Sequence, residues 1–441
     1  MKQRVTVILK LGTPIILAML SQSLLNLVDA ALVGPLGEVA LAAVGAGSYA
    51  NFVALSLVAG LSAGIQAQVA RRAGADNDSV CAYPVNHGIL LSIVLTLPVS
   101  IILMLMAPWI LMLFSQSPEV HEAATLYFRI RVMTLTAAAM CLSFRGYWNG
   151  LGKPSGFLKI LVFSHICNVL ISYVLIYGKV GIPAMGVAGA AMGTFLSMYL
   201  AVLLCLAIML RQSISHGFMA WASFRDFSGL IKLMKLALPD SLQQTLFALG
   251  IMAFFAIISQ LGTGEMAVAH VLMNISLLLI LPGTGLGMAA TTLVSRSLGA
   301  GEPEQAWRWG WEITLVAVFI LMLLSLPLLL VPEGVLQLFL YDPELIDVGR
   351  IPLQLTGLGI ILDTASLVFT RALLGAGANR TVLGIRISSQ WLLLLPLCWI
   401  AGPVLGLGLT TIWCIQVFQR LVSSLAFVTV WQLRHWSRIT I

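Results

Sequence analysis

The sequence predicts an all-α membrane protein: twelve transmembrane helices forming two pseudo-symmetric six-helix lobes around a central cleft. Three observations predict this class: long apolar runs, an internal repeat, and the placement of the basic residues. Hydrophobic residues make up 59% of the chain and charged residues only 9%. An ordinary globular domain carries about 25% charged residues, so a soluble protein is excluded. Apolar runs long enough to cross a bilayer core recur near 10–33, 43–69, 88–114, 123–148, 157–177, 186–210, 234–261, 267–295, 311–331, 350–374, 383–401 and 406–433. They lack strict alternation and far exceed the length of a barrel strand, so helices are expected.

The first run follows a basic start, Met1–Lys10, and has no A-x-A-like exit. It reads as a retained helix rather than a cleaved leader. With the N-terminus in the cytoplasm, all but five of the 24 Lys and Arg fall on the cytoplasmic face. Arg129, Arg131, Lys179 and Arg350 lie toward the outside, and Arg420 falls within the last span. The positive-inside rule is then met with both termini cytoplasmic. The formal charge of +7 is therefore a topology signal with anionic lipid as its partner, not nucleic acid. The six cysteines (81, 141, 167, 205, 398, 414) show no metal-ligand spacing and are expected to pack as small side chains.

The repeat relates "GLSAGIQAQVARRAGA" at 60–75 to "GLGMAATTLVSRSLGA" at 285–300, a shift of 225 residues. The same shift maps Pro14 to Pro239, Gly37 to Gly262, Phe114 to Phe339, Pro118–Glu119 to Pro343–Glu344, and Gly150 to Gly375. Each copy holds six spans, an even number, so the copies share one orientation in the membrane. The expected lobes are 1–210 and 233–441. The polar stretch 211–232 between them is the expected cytoplasmic linker, with a short amphipathic helix lying on the membrane. Two parallel lobes around a midplane site form the architecture of an alternating-access transporter.

Carboxylates within these spans are costly, by about 2.5–3.5 kcal/mol each on insertion scales. In the first span Gln22, Asn26 and Asp29 are spaced i, i+4, i+7 and share one helical face. That stripe is either a structural hydrogen-bond donor to a neighbouring helix or an ion- or proton-binding site. The repeat favours the second, because the equivalent positions are Phe247, Ile251 and Phe254, whereas a stripe needed for folding would be expected in both lobes. Phe247 and Phe254 are either plain core or the apolar wall of a cavity. In the fifth span Asn168 and Ser172 share a face, with His165 a turn earlier. An amide can hydrogen-bond a carboxyl in either protonation state, which makes Asn168 the expected partner of Asp29. Tyr127 and Thr194 are weaker candidates. Asp363, in the tenth span, is the second deep carboxylate, and its repeat partner is Ala138. Asp240 follows Pro239 and is expected to cap the seventh helix at its N-terminus. Pro14, if inside its helix, is a bend point below Asp29. The six histidines are scattered, and neither H-E-x-x-H nor G-x-S-x-G occurs, which argues against an enzyme.

Taken with "NGLGKPS" at 149–155, "GVAGAAMGT" at 186–194 and "LGTGEMAVAHVLMNI" at 261–275, these features resemble the multidrug and toxic compound extrusion (MATE) family over essentially the whole chain. The resemblance implies a secondary active antiporter of the bacterial inner membrane. It would export lipophilic, mostly cationic compounds by alternating access, as a monomer, with no cofactor beyond the coupling ion, H+ or Na+. It also implies that Asp29 and Asn168, with Asn26 and Ser172 beside them, form the ion-coupling site of the first lobe. Asp363 matches an acidic position of the norfloxacin-exporter branch. Gln22, Tyr127, Thr194, Phe247 and Phe254 are the expected substrate contacts with Asp29, and Pro14 the expected hinge. That branch usually carries a glutamate in its seventh helix, whereas here no carboxylate follows Asp240 in that helix. Ser172 stands where some members have a second acid. A single clear carboxylate in the first lobe points to protons over sodium. The rivals are a sodium-coupled drug antiporter and a lipid-linked oligosaccharide flippase. A polyanionic headgroup would call for more deep basic residues than Arg129, Arg131 and Arg420.

Overall fold

The computed structural model describes residues 2–114 and 117–439, which are helical throughout apart from turns and short connections. Among the described residues, eleven segments are long and apolar enough to cross a membrane, and counting a bent helix pair as one span brings the number to twelve. The chain divides into two compact units, Leu17–Leu242 and Met1–Ile16 with Gln243–Ile441. This division differs from the 1–210 and 233–441 lobes expected from the repeat. The first helix, α1 (Lys2–Val33), contributes its opening turns to the second of these units and the rest to the first.

The Leu17–Leu242 unit contains the rest of α1, followed by α2 (Glu38–Ser56), α3 (Gly60–Gly74), α4 (Tyr83–Met112), α5 (Pro118–Val132), α6 (Leu135–Gly150), α7 (Pro154–Tyr177) and α8 (Gly186–Gln212). Proline opens α5 and α7, where its missing N–H has no helical partner to lose. The fourth predicted span, 123–148, is not one straight helix: α5 and α6 meet at a 45° bend. Thr134 sits at the break and donates its hydroxyl to the Arg131 carbonyl at 2.6 Å, offering the backbone a local alternative to the helical bond. Ser56 does the same to Val53 at the α2–α3 junction. Local side-chain chemistry of this kind is invisible to a hydropathy window.

The linker is shorter and firmer than expected. It holds a 3-10 turn, Ile214–His216, and a five-residue helix, α9 (Trp221–Arg225). Asn86 of α4 clamps it by donating to the Gly217 carbonyl at 2.9 Å and to Ser223 Oγ at 2.8 Å, while accepting the Met219 N–H at 3.0 Å. Helix α10 (Phe227–Ile258) then begins well before the predicted seventh span, and its residues up to Leu242 belong to this unit. Asp240 is consequently not an N-cap. It lies in the helix interior, 2% exposed, just after the internal Pro239. The cap is Asp226, which accepts the Gly229 N–H at 3.0 Å and the Ser228 hydroxyl at 2.8 Å. These bonds, the Gly229 N–H foremost, hold the Asp226 carboxyl below the usual carboxylate range.

The other unit contains the remainder of α10, then α11 (Thr263–Gly299), α12 (Pro303–Leu330), the short α13 (Pro332–Leu336), α14 (Pro343–Ala376), α15 (Asn379–Ile387), α16 (Leu395–Trp399) and α17 (Leu409–Leu433). Helix α14 is central, packing on α11, α12 and α17. Two π-helical stretches, Ser388–Leu394 and Ile400–Val404, flank α16. Both ends of the chain are fastened to α12. Arg4 pairs with Glu312 at 2.7 Å and lies over the Trp309 ring, while Arg434 pairs with Glu304 at 2.6 Å and lies over Trp307.

The repeat is realised in the packing. A Cβ on Gly60 would meet the Ala237 carbonyl at 2.1 Å and Ser241 N at 2.7 Å, and one on Gly285 would meet Ile16 Cγ1 at 2.5 Å. Gly60 and Gly285 are repeat partners, and so are Ile16 and Ser241. Gly150 against Gln66 and Gly375 against Thr291 form a second such pair. The glycines recur because helix backbones touch at these positions, the small-residue contact typical of membrane helices. Pro14 and Pro239 lie inside α1 and α10, where each removes a backbone hydrogen bond.

Candidate functional site

Within the Leu17–Leu242 unit a cavity of about 60 Å³ is lined by Gln22, Asn26 and Asp29 of α1, Arg131 of α5, His165 and Asn168 of α7, and Thr194 and Ser197 of α8. Room on this scale holds a few waters. It is far below the roughly 300–1,000 Å³ of a drug-sized pocket. The i, i+4, i+7 spacing brings the α1 stripe to one face as predicted, and Gln22 donates to Asn26 Oδ1 at 3.2 Å. Asp29 is half-buried and has no hydrogen-bond partner among the described residues.

Asn168 lines the same cavity as Asp29, but its hydrogen bonds run elsewhere. Its Nδ2 donates to Ser197 Oγ at 3.0 Å, and its Oδ1 accepts from the Ser172 hydroxyl at 3.4 Å. Ser197 is the residue the sequence did not single out. It follows Thr194 by one turn of α8 and also accepts, through its carbonyl, the Ser164 hydroxyl at 2.8 Å. The i, i+3 spacing of Thr194 and Ser197 was the available signal. His165 hydrogen-bonds Ser21 Oγ through Nδ1 at 2.8 Å and so joins α7 to α1. Arg131, expected toward the outer end of its helix, is one of the residues lining the cavity. Its Nε and Nη1 are buried without a hydrogen-bond partner among the described residues.

Three expected substrate contacts lie elsewhere. Tyr127 is buried in a separate cluster with Val33, Val44 and Ile176, its hydroxyl 3.1 Å from Ser48 Oγ. Phe254 is core, 2% exposed and against the Trp413 ring. Phe247 is exposed, and its carbonyl accepts from Gln390 at 3.3 Å.

Asp363 lies in the other unit, 7% exposed, and the charges acting on it are those of Arg420 and Arg386. Arg420 donates to Ser276 Oγ at 3.0 Å and Arg386 to Thr370 Oγ1 at 2.9 Å. Arg420 Nη1 and Arg386 Nε have no acceptor among the described residues, and neither guanidinium is within 4.0 Å of the carboxylate. The carboxylate is thus a counter-charge shared by the buried Arg420 and the half-buried Arg386. No group of three or more His, Cys, Asp or Glu among the described residues could hold a metal ion.

A duplicated set of membrane-spanning helices with a polar, water-sized cavity inside one copy is the architecture of a membrane transporter. The MatE family model matches residues 14–174 and 239–400, and the chain belongs to that family. Each matched segment begins at one of the two repeat-related prolines, Pro14 and Pro239. Among curated relatives, the probable multidrug resistance protein NorM of Thermotoga maritima is 24% identical over 415 residues, covering 92% of this chain and 87% of that protein. The protein of the same description from Pseudomonas putida is 26% identical over 416 residues, covering 92% and 89%. Among solved structures, an outward-facing multidrug resistance MATE family transporter of the MOP superfamily superposes with a TM-score of 0.89 at 22% identity, covering 98% of this chain and 96% of that one. A MOP superfamily transporter from Pyrococcus furiosus, described as having a binding pocket of reverse polarity, gives 0.87 at 22% identity, covering 97% and 95%. At this identity the structures establish the fold.

Proposed function

We propose that the protein is a secondary active multidrug efflux antiporter that exchanges lipophilic, mostly cationic compounds for protons by alternating access, with Asp29 as the coupling carboxylate. The observation that carries this assignment is the cavity around Asp29. It is large enough for water and a proton or small ion and too small to enclose a drug, so a substrate cation acts on Asp29 from outside the cavity. Asn168, Ser197 and Thr194 supply the polar wall, Ser172 holds Asn168 from behind, and Gln22 and Asn26 extend the stripe along α1. A cation near the carboxylate favours its ionised form, and a proton on it favours release of the cation. That reciprocity couples the two fluxes. Asp363 is assigned the role of counter-charge to Arg420 and Arg386 rather than a second coupling site. The multidrug resistance descriptions of the NorM relatives support the substrate class. The expected setting is a bacterial inner membrane with both termini cytoplasmic.

The test is efflux of a fluorescent cation such as ethidium from liposomes carrying an imposed pH gradient without sodium. Wild type is expected to transport and Asp29→Asn to be inactive. Transport by Asp29→Asn at the wild-type rate sinks the assignment. Transport that appears only with a sodium gradient favours the sodium-coupled alternative, and silence under both gradients favours the flippase.

A further inference from the structure

Arg131 and Asp29 line one small cavity, and each lacks a hydrogen-bond partner among the described residues. They are not an ion pair, since no N–O distance between them falls within 4.0 Å. Of the helices around the cavity, α1 contributes Asp29, α5 contributes Arg131, α6 contributes Cys141 and α7 contributes His165. His165 is engaged with Ser21 through Nδ1. Arg131 is therefore the fixed positive charge of the cavity and Asp29 its negative one.

The remaining lining raises a question of ion selectivity. A carboxylate, the Asn168 amide oxygen and the hydroxyls of Thr194 and Ser197 are hard oxygen ligands of the type alkali and alkaline-earth cations prefer. On those residues alone the cavity would suit a sodium ion. Two features argue otherwise, and both belong to Arg131. Its Nε and Nη1 are buried donors without a partner among the described residues, and they cannot serve as cation ligands, because a guanidinium has no acceptor. Its charge repels a second cation at a few ångströms, an effect on the order of a hundredfold in affinity at the effective dielectric of a protein interior. A proton survives that penalty because it binds the carboxyl oxygen covalently and needs no shell of ligands. A sodium ion, bound by electrostatics and coordination only, does not.

We propose that Arg131 is the specificity-determining residue that keeps the Asp29 site responsive to protons and closed to sodium. This rests on the proton-coupled assignment above and adds a residue and a reason to it. Neutralising Arg131 leaves the oxygen set of Asp29, Asn168, Thr194 and Ser197 intact and opens it to a monovalent cation.

The experiment compares wild type, Arg131→Gln and Arg131→Lys in liposomes and in detergent. Efflux of ethidium is driven either by a pH gradient or by a sodium gradient at constant pH. Thermal stability is followed in sodium chloride against N-methylglucamine chloride at equal ionic strength, a readout independent of transport. Wild type and Arg131→Lys are expected to ignore sodium in both measurements. Arg131→Gln is expected to gain sodium-driven efflux and sodium-specific stabilisation, with an apparent sodium affinity at least tenfold above wild type. Should Arg131→Gln not fold, Arg131→Met removes the charge while keeping the apolar stem. A folded neutral variant as blind to sodium as a proton-driven wild type overturns this inference alone. A wild type driven by sodium and not by protons overturns the proton-coupled assignment and the inference with it.

Discussion

Replacing Asp363 with asparagine removes the negative charge shared by the buried Arg420 and the half-buried Arg386, and the consequence is expected in stability before transport. Arg420 is 8% exposed and satisfied on one nitrogen by Ser276, with Nη1 unpartnered. Arg386 is satisfied on one nitrogen by Thr370 and stacked over the Phe427 ring at 5.1 Å, with Nε unpartnered. Asparagine keeps the shape and loses the charge. Neither guanidinium is within ion-pair distance and each keeps one hydrogen bond, so the cost is expected below the roughly 3–5 kcal/mol of breaking a buried contact pair, at about 1–3 kcal/mol. For a unit of about 200 residues each kcal/mol moves the melting temperature by roughly 2–4 °C, so the expected fall is on the order of 2–12 °C. A thiol-reactive dye reads it, since Cys398 of the same unit is buried and unpaired while the exposed Cys414 can be changed to serine to lower the background. Adding Arg420→Met to Asp363→Asn is expected to recover part of the loss, as an apolar residue of similar volume removes the stranded charge. An Asp363→Asn protein that melts like wild type but no longer transports would refute this reasoning and return Asp363 to the coupling machinery.

The repeat-related glycines are expected to differ in tolerance although they occupy equivalent positions. Alanine at Gly60 meets a backbone carbonyl at 2.1 Å, whereas alanine at Gly285 meets a side-chain carbon of Ile16 at 2.5 Å, which can rotate away. Gly60→Ala should therefore fall at or beyond the upper end of the 1–3 kcal/mol range for overpacking and Gly285→Ala near about 1 kcal/mol. Equal losses in a thermal melt contradict that difference. Asp226→Ala is expected to cost about 0.5–2 kcal/mol through loss of the α10 cap. Because the folded-state carboxyl is held below its ordinary value, the contribution is full above the unfolded value of about 3.9. It is lost as pH falls through the lower folded value. The gap in melting temperature between wild type and Asp226→Ala should hold at neutral pH and close in acid. A gap independent of pH assigns the effect to packing.

Much of this was legible in the chain because the signals are periodic or paired. The α1 stripe of Gln22, Asn26 and Asp29 follows from helical spacing, and the glycine contacts follow from a shift of 225 residues held through apolar sequence. What escaped was set by long-range geometry or by competition between local bonds. The break between α5 and α6 depends on the Thr134 hydroxyl taking the Arg131 carbonyl, and hydropathy does not register it. Asp240 was given the cap because polar residues obscure where α10 starts. Lys232 and Lys235 interrupt the hydropathy of the opening turns, but the helix runs through them from Phe227. Arg131 is expected from the sequence as one of the few charges toward the outer end. Only the fold carries its guanidinium to Asp29, since a long arginine stem reaches a polar pocket that sequence position does not reveal. The choice of Asn168 was sound for the cavity but not for the bond, because Ser197 on α8 competes for the same amide.

The ownership of α1 has a consequence for how the protein is made. The opening turns of α1 find their neighbours in residues of the second half: Gly12 against Leu286, Ile16 against Gly285, and Arg4 with Glu312. At synthesis rates of about 5–20 residues per second, those neighbours leave the ribosome on the order of ten seconds or more after α1 does. Throughout that interval the first helix resides in the bilayer with its lower half unpartnered, while Leu17 onward already has its own neighbours to pack against. The beginning of this chain is therefore among the last parts to reach its final place, and a ribosome that stalls near the middle leaves a nascent protein whose first helix is only half assembled.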